Sequence, residues 1–253
     1  MQTIYYIDRY GNIDRTGFRY KKTPTVKIYP VTLTNLIGVY GNFERDSNGD
    51  GLADGWLKTS SCSCELINGV VGTKAQKATT SADSGQIVGL SATAFKHGTD
   101  FVFPAGTCLF FTGYARKVTD NVEYSVLEIK YFKISDSTWY WVSLKFPELG
   151  DSTHIYAFSD TNWHKGRTKF CVTDSDFKVE CKLLLRSNGT DEQSVAMDGL
   201  VAYNLTNMGV LPLPLQELYE VETWADLDAD TLAQLLPYTD SVTSLGFAWE
   251  SDV

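Results

Sequence analysis

The most constraining feature of the sequence is a succession of short strand-like runs that occupies residues 36–206 with no long amphipathic helix between them. Runs rich in Val, Ile, Thr, Tyr, Phe and Trp lie at 107–118, 123–134, 139–146, 163–172, 179–187 and 194–205, separated by Gly, Asp, Asn and Ser. Side chains alternate across a strand, so each run divides into two sets. In 107–118 one set is Leu109, Phe111, Gly113 and Ala115; in 123–134, Tyr124, Val126, Glu128 and Lys130 alternate with Ser125, Leu127, Ile129 and Tyr131. This spacing predicts an all-β antiparallel sandwich or barrel, and it disfavours a doubly wound α/β fold.

The chain of 253 residues is long enough for one large domain with extensions, and 43% hydrophobic residues with 13% aromatics exclude disorder and coiled-coil composition. No run of 18 apolar residues exists, so no membrane span is expected. Residues 1–22 contain neither an apolar core segment nor a small-residue cleavage site, which predicts a protein made and folded in the cytoplasm. Five cysteines (Cys62, Cys64, Cys108, Cys171, Cys181) leave one unpaired at least, and their spacing matches no common zinc arrangement. Buried thiols are expected, not a disulfide framework.

Two flanking segments differ from the strand-rich region. Residues 1–35 read as an extended arm with one or two strands, the clearest being the run from Thr25 to Leu33. Residues 207–253 read as a linker and helical tail: Leu211-Pro212-Leu213-Pro214-Leu215 is stiff and extended, residues 216–222 suit a short helical turn, and Thr223 with Asp226 marks the start of a helix ending near Pro237. Leu227, Leu232, Leu235 and Leu236 would form its apolar face, and a neighbouring subunit is one candidate for covering it. Residues 187–253 hold twelve acids and no lysine or arginine, which leaves 22 bases against 19 acids in the remainder. The first 30 residues carry six bases against two acids. Such polarity allows attraction between the ends, within a subunit or between neighbours in an assembly, and also suits two solvated ends.

The sharpest local motif is the acidic loop at 46–56. Asp46, Asn48 and Asp50 place oxygen side chains at alternate positions, Gly51 makes the turn, the Leu52 carbonyl falls at the seventh position and Asp54 at the ninth. A hard cation takes six to eight oxygens, and this spacing reproduces the first half of a Ca²⁺ loop. Leu57 stands where a calcium hand would carry Glu, so the expectation is a Ca²⁺-stapled loop and not a calcium sensor. A solvated turn without metal is the alternative.

Taken in order, Asn42-Phe43-Glu44, the acidic loop, Asn162-Trp163-His164-Lys165-Gly166, Lys182-Leu183-Leu184-Leu185-Arg186 and Val195-Ala196-Met197-Asp198-Gly199 resemble the carbohydrate-binding jelly-roll modules of the family 4, 9 and 22 type. The pattern is most similar to the version found in phage tail and minor structural proteins, where the closing strand is followed by a segment like Asn204-Leu205-Thr206. The resemblance covers residues 36–206. It implies a jelly-roll β-sandwich with a structural Ca²⁺ near the N-terminal strand, with Glu44 and Asp198 as ligands shared with or separate from the loop. Relatives often carry two consecutive acids where this chain has Asp198-Gly199.

Sugar binding in such modules uses aromatic rings stacked on pyranose faces, and Trp139, Tyr140 and Trp141 are the candidates. Alternation sends Trp139 and Trp141 to one face and Tyr140 to the other, and core or interface packing is the competing role. Tyr156, His154 and Trp163 are further candidates, Trp163 also suiting the core. No phosphate loop, His-Glu-x-x-His, Gly-x-Ser-x-Gly or Cys-x-x-Cys is present, and His97, His154 and His164 are scattered. The acidic balance disfavours nucleic acid. The expected function is that of a non-enzymatic bacteriophage virion protein of the tail, fibre, baseplate or capsid surface. Its expected partners are other virion proteins, further copies of itself and a host-surface glycan. A purely architectural adaptor and a polysaccharide-active enzyme are the alternatives.

Overall fold

The strand-like runs build three sheets in a computed structural model that describes residues 3–7, 13–14, 26–58, 62–80, 87–89, 102–186, 191–239 and 242–250. The N-terminal strands are β1 (Thr3–Ile7), β2 (Ile13–Asp14) and β3 (Val26–Thr34). The central region holds β4 (Cys62–Asn68), β5 (Lys74–Thr80), β6 (Ile87–Gly89), β7 (Thr107–Lys117), β8 (Tyr124–Lys133) and β9 (Thr138–Ser143), followed by β10 (His164–Val172), β11 (Phe177–Arg186) and β12 (Gln193–Asn204). Three short helices, α1 (Leu205–Met208), α2 (Leu213–Tyr219) and α3 (Ala229–Leu235), lead to β13 (Val242–Glu250). A five-stranded sheet, β10-β7-β12-β5-β4, faces a four-stranded sheet, β6-β11-β8-β9, and the two are joined as a jelly-roll β-sandwich. All pairings in these two sheets are antiparallel.

The expected alternation sets the main core. Leu109, Phe111 and Ala115 of β7 meet Leu127 and Ile129 of β8 and Leu183 and Leu185 of β11 between the sheets. In β12 the inward set is Val195 and Met197 before Asp198, then Leu200 and Ala202 after it. The switch from odd to even numbers follows a bulge between Asp198 and Val201. Gly199 takes the left-handed conformation there at φ +56°, and a Cβ on it would lie 2.5 Å from the Val71 side chain.

A second core covers the opposite face of the five-stranded sheet. Phe110, Val201 and Tyr203, which point away from the first core, pack with Trp224, Leu211, Leu215, Leu227, Leu232, Leu235 and Leu236, and with Leu33 of β3 and Leu245 of β13. The surface that the apolar tail helix requires is therefore the protein's own sheet. The N- and C-terminal segments meet there: β13 pairs antiparallel with β3 along its length and parallel with β1. The β13 strand lies beyond the helix that the sequence reading placed last, and its partner in β3 is more than 200 residues away.

Two local expectations need correction. Thr223 does not cap the helix: its N–H and hydroxyl donate to Asp226 in a separate turn. The helix starts after Asp228, whose carboxylate accepts from the N–H groups of Asp230 and Thr231. The earlier turn exists because Trp224 must enter the core, fully buried. The run from Leu211 to Leu215 is also not wholly extended, since α2 begins at Leu213 with Pro214 in its first turn, where a missing N–H costs nothing.

The cysteine expectation is likewise corrected in part, since Cys108 and Cys171 form a disulfide. They face each other in the β7–β10 register across a sequence separation of 63, a proximity that spacing alone does not reveal. Cys62 and Cys181 are buried thiols and Cys64 is half-buried.

Basic side chains of β10 hold the acidic C-terminal segment. Arg167, itself buried, pairs with Asp230 and with Asp151, the latter at 2.8 Å. Lys165 donates to the Ala233 carbonyl at 2.8 Å, and Lys169 donates to the carbonyls of Leu227 (2.7 Å) and Ala225. Among the described residues, Asp230 is the acid of 187–253 that is ion-paired, and its partner lies in β10, not in the N-terminal arm. If the second core folds together with the sandwich, Trp224→Ala lowers unfolding free energy by about 3–5 kcal/mol in denaturant titration; a loss below about 1 kcal/mol would show that the segment unfolds independently.

Candidate functional site

Two groups of residues carry the chemistry suggested by the sequence. The first is built by the turn joining β4 to β5. Glu44 accepts from the Thr73 N–H (2.6 Å), the Lys74 N–H (2.8 Å) and the Thr73 hydroxyl (2.6 Å). Asp198, fully buried beside the β12 bulge, accepts from the N–H groups of Val70 (2.6 Å), Val71 (2.7 Å) and Gly199 (2.7 Å). Glycines make room for both carboxylates. A Cβ on Gly69 would stand 2.6 Å from Asp198 Oδ2, and one on Gly72, at φ +70°, would stand 2.3 Å from Glu44 Oε1.

The two acids differ electrostatically. Burial raises the Asp198 carboxyl to about 6, Glu44 adds to the rise, and the three amide bonds only partly oppose it. Burial also acts against ionisation of Glu44, but the hydrogen bonds from Thr73 and Lys74 outweigh it and hold that carboxyl below its ordinary value. Two neighbouring acids, one of them buried, could share a hard, oxygen-preferring dication through the lone pairs that the N–H groups leave open.

The acidic loop is closed differently. Asp46 accepts from the N–H groups of Gly49, Asp50 and Gly51. Asp50 accepts from the Leu52 N–H and the Asn48 amide, and the Asp54 carboxylate receives the Ser47 N–H and hydroxyl. Backbone and side-chain donors thus shape the loop. Among the described residues, no three Asp, Glu, His or Cys side chains converge as a ligand set. The structure therefore joins Glu44 and Asp198 at one turn and leaves Asp46, Asn48, Asp50, Leu52 and Asp54 in a self-bonded loop.

The second group lies on the outer face of the four-stranded sheet. Trp139 and Trp141 project from β9 with 37% and 61% of their surface exposed. Lys130 of β8 lies between them, its amino group 5.6 Å from the Trp139 ring centre and 5.8 Å from that of Trp141. Phe132 packs against Trp139 at 5.3 Å. Tyr140 faces the other way: its ring stacks on Tyr131 at 5.2 Å, Tyr131 on Phe170 at 5.1 Å, and Phe170 on Phe111 at 5.9 Å. Its hydroxyl donates to Asp136 at 2.7 Å. Alternation along β9 separates two exposed indoles from one inward anchor.

Lys130 and Phe132 did not figure among the sequence candidates, although the β8 alternation already placed Lys130 with Tyr124. At the other end of β8, Tyr124, His154 and Tyr156 form a second aromatic group, with His154 and Tyr156 5.0 Å apart. Trp163 is half-buried under the Arg116 guanidinium, 4.7 Å from its centre, and does not belong to the buried core, a correction of the core alternative. His97 lies outside the described residues.

His164 is not isolated. It stacks on Phe158 at 3.8 Å, and its nitrogens contact Glu148 and Asp160, the latter at 2.8 Å. Both nitrogens are engaged by carboxylates, an arrangement that suits a clamped imidazolium and leaves no nitrogen to act as a base. Burial alone would lower its pKa, but the two carboxylates outweigh burial and raise it above the ordinary histidine value. Linkage then gives a stabilising contribution that is complete below the unfolded value of about 6.5 and disappears as pH rises through the folded value. Comparing His164→Gln with the parent should show the larger stability difference at pH 6 and a smaller one at pH 9; a difference independent of pH would exclude the clamped imidazolium.

No family model and no curated protein matches the sequence. Solved structures do show similarity. The chain is similar to a module described as family 16 carbohydrate-binding module 2, at 18% identity over 66% of this chain and 99% of that one, with a TM-score of 0.40. It is also similar to the CBM22-1 xylan-binding domain from Paenibacillus barcinonensis Xyn10C, at 10% identity over 72% and 97%, with a TM-score of 0.39. A third is the enzymatically active domain of bacteriophage CBA120 tailspike protein 4, at 10% identity over 64% of this chain and 21% of that one, with a TM-score of 0.40. The chain thus spans about a fifth of that tailspike domain. Among the described residues, no helix is long and apolar enough to cross a membrane.

Proposed function

We propose that this protein is a non-enzymatic glycan-binding β-sandwich of a tailed-bacteriophage virion, placed in the tail, fibre, baseplate or capsid surface and assembled in the host cytoplasm. The observation that carries the glycan part is the exposed Trp139–Trp141 pair on a regular strand, with Tyr140 between them held inward by the aromatic stack. Exposed indoles present flat apolar faces and an N–H donor, which suits the apolar face and hydroxyl rim of a pyranose. Virion placement rests on the sequence resemblance, as does assembly with other virion proteins and with further copies of this chain. The architectural reading would instead bury the two tryptophans against a neighbouring virion protein.

In this proposal Ca²⁺ is structural. Glu44 and Asp198 hold it at the β4–β5 turn, and the loop bearing Asp46, Asn48, Asp50, the Leu52 carbonyl and Asp54 lies close in sequence to supply further oxygens. Bound there, the ion would neutralise Asp198 and fix the turn to the β12 bulge. Calcium binding only the folded state stabilises by mass action, so chelator should lower the melting temperature, and Asp198→Asn should remove the response. Asp50→Ala should weaken it if the loop contributes. A melt unchanged by chelator or by added Ca²⁺ would reject the metal.

The glycan reading is tested on the purified chain with arrays of bacterial surface polysaccharides, followed by titration calorimetry. Trp141→Ala should weaken any binding by about tenfold or more, as expected for loss of a central aromatic anchor worth 1.4 kcal/mol or above, with an unchanged melting temperature. Binding that is indifferent to both Trp141→Ala and Trp139→Ala would remove this face from the proposal.

A further inference from the structure

The indole pair flanks the amino group of a lysine. Lys130 sits opposite Trp141 in the β8–β9 register and opposite Glu180 in the β8–β11 register. Among the described residues, no carboxylate lies within ion-pairing distance of it. The next outward position on β11 is Lys182, which is buried and pairs with Glu128 at 3.4 Å. The amino groups of Lys130 and Lys182 are near enough to interact directly, and burial followed by that like charge holds Lys182 below the ordinary lysine value. Two amines therefore converge here; Glu128 is ion-paired with Lys182, and Glu180, opposite Lys130, also favours the charged form of Lys182.

Burial of Lys182 and the like charge of Lys130 beside it are unfavourable on their own terms. Lysine is strongly hydrated and ordinarily extends into water, yet Lys182 is withdrawn from it and Lys130 lies over the indoles. Cation–π attraction offsets part of the cost for Lys130. It does nothing for the repulsion between the two amines, which Glu128 and Glu180 offset in part and a further anion would reduce.

We infer that this face binds a glycan carrying a fixed negative charge, its pyranose stacked on Trp139 and Trp141 and its anionic group received by Lys130. This inference rests on the glycan-binding reading and specifies its ligand class. The recognised chemistry is an oxyanion on a sugar, and it has two sources: the carboxylate of a uronic acid and the phosphodiester of a teichoic-type polymer.

The experiment compares three probes by calorimetry on the full chain: polygalacturonate, a glycerol-phosphate teichoic acid and neutral xylan. Each is run at low and high salt with the parent, Lys130→Gln and Trp141→Ala. The expected result is binding to one or both anionic polymers over xylan, weakened by salt and reduced about tenfold or more by Lys130→Gln, since a charge-assisted hydrogen bond is lost. Which anionic probe binds identifies the source. Equal binding of all three probes, insensitive to salt and to Lys130→Gln but sensitive to Trp141→Ala, overturns the charge inference and leaves the platform in place. No binding of any probe, while the array finds another neutral ligand, also overturns it. A blank array overturns both it and the glycan reading. Melting curves of the variants separate lost binding from lost folding, and Lys130→Arg, which keeps the charge, should retain the preference.

Discussion

The pairing of β7 with β12 is the interaction on which the rest of the structure depends, because both faces of this ladder are buried. On one side Leu109, Phe111, Leu200 and Ala202 face the four-stranded sheet; on the other Phe110, Val201 and Tyr203 face the C-terminal segment. A half-exposed sheet would alternate apolar and polar residues, whereas β12 is buried along nearly its entire length. That two-sided burial obliges the chain to return after α1 and cover the outer face. It also explains why cationic β10 side chains donate to carbonyls of the returning segment: carbonyls between α2 and α3 and in the last turn of α3 have no helical partner, and Lys169 and Lys165 supply donors to them.

The bulge at Asp198 is the point where this wall meets the candidate cation site. An extra residue exchanges the inward and outward sets of β12, and it turns Asp198 toward the Val70 and Val71 amides. A fully buried carboxylate is expensive unless it is compensated, and amide dipoles compensate it only partly. The same hairpin receives Glu44 from the segment preceding the acidic loop, so the turn ties together three parts of the chain that are distant in sequence. A cation there would act on the sandwich through β12, the strand shared by both cores.

The sequence made the central strands legible because their partners impose strict alternation. Leu127, Ile129 and Tyr131 are read correctly as one face of β8 from their spacing alone. The β4 and β5 runs carry lysine, serine, cysteine and alanine with few branched and no aromatic residues, and their strand character comes from pairing, β5 with β12 and β4 with β5. The Cys108–Cys171 bridge and the β3–β13 ladder are not legible for a different reason: each is a contact between remote segments, fixed only when the fold sets their register. At the site, alternation separated Tyr140 from Trp139 and Trp141, but which side was solvent depended on the opposing sheet. Lys130 escaped notice because a lysine on a strand is ordinarily a solvated residue. Only the register that sets it opposite Trp141 and near Lys182 gives it a distinct role.

The aromatic stack gives the platform its rigidity. β9 is an edge strand, and edge strands with uncharged, aromatic sequences invite pairing with other chains, a hazard that proteins usually counter with lysine, proline or a bulge. Thr138-Trp139-Tyr140-Trp141-Val142-Ser143 contains none of these. The nearest charge on its exposed face is Lys130, contributed by the neighbouring strand. Tyr140, tied through Tyr131 and Phe170 to Phe111 on the central β7, anchors the strand from behind and fixes where the two indoles project. A strand held this firmly loses little further freedom when something stacks on it, and such preorganisation lowers the entropic cost of binding. Holding two tryptophans partly in water leaves apolar surface uncovered in the isolated molecule. That surface would be covered by a ligand or an assembly partner, and Lys130 between the indoles would favour a polar, anionic occupant over a purely apolar protein surface.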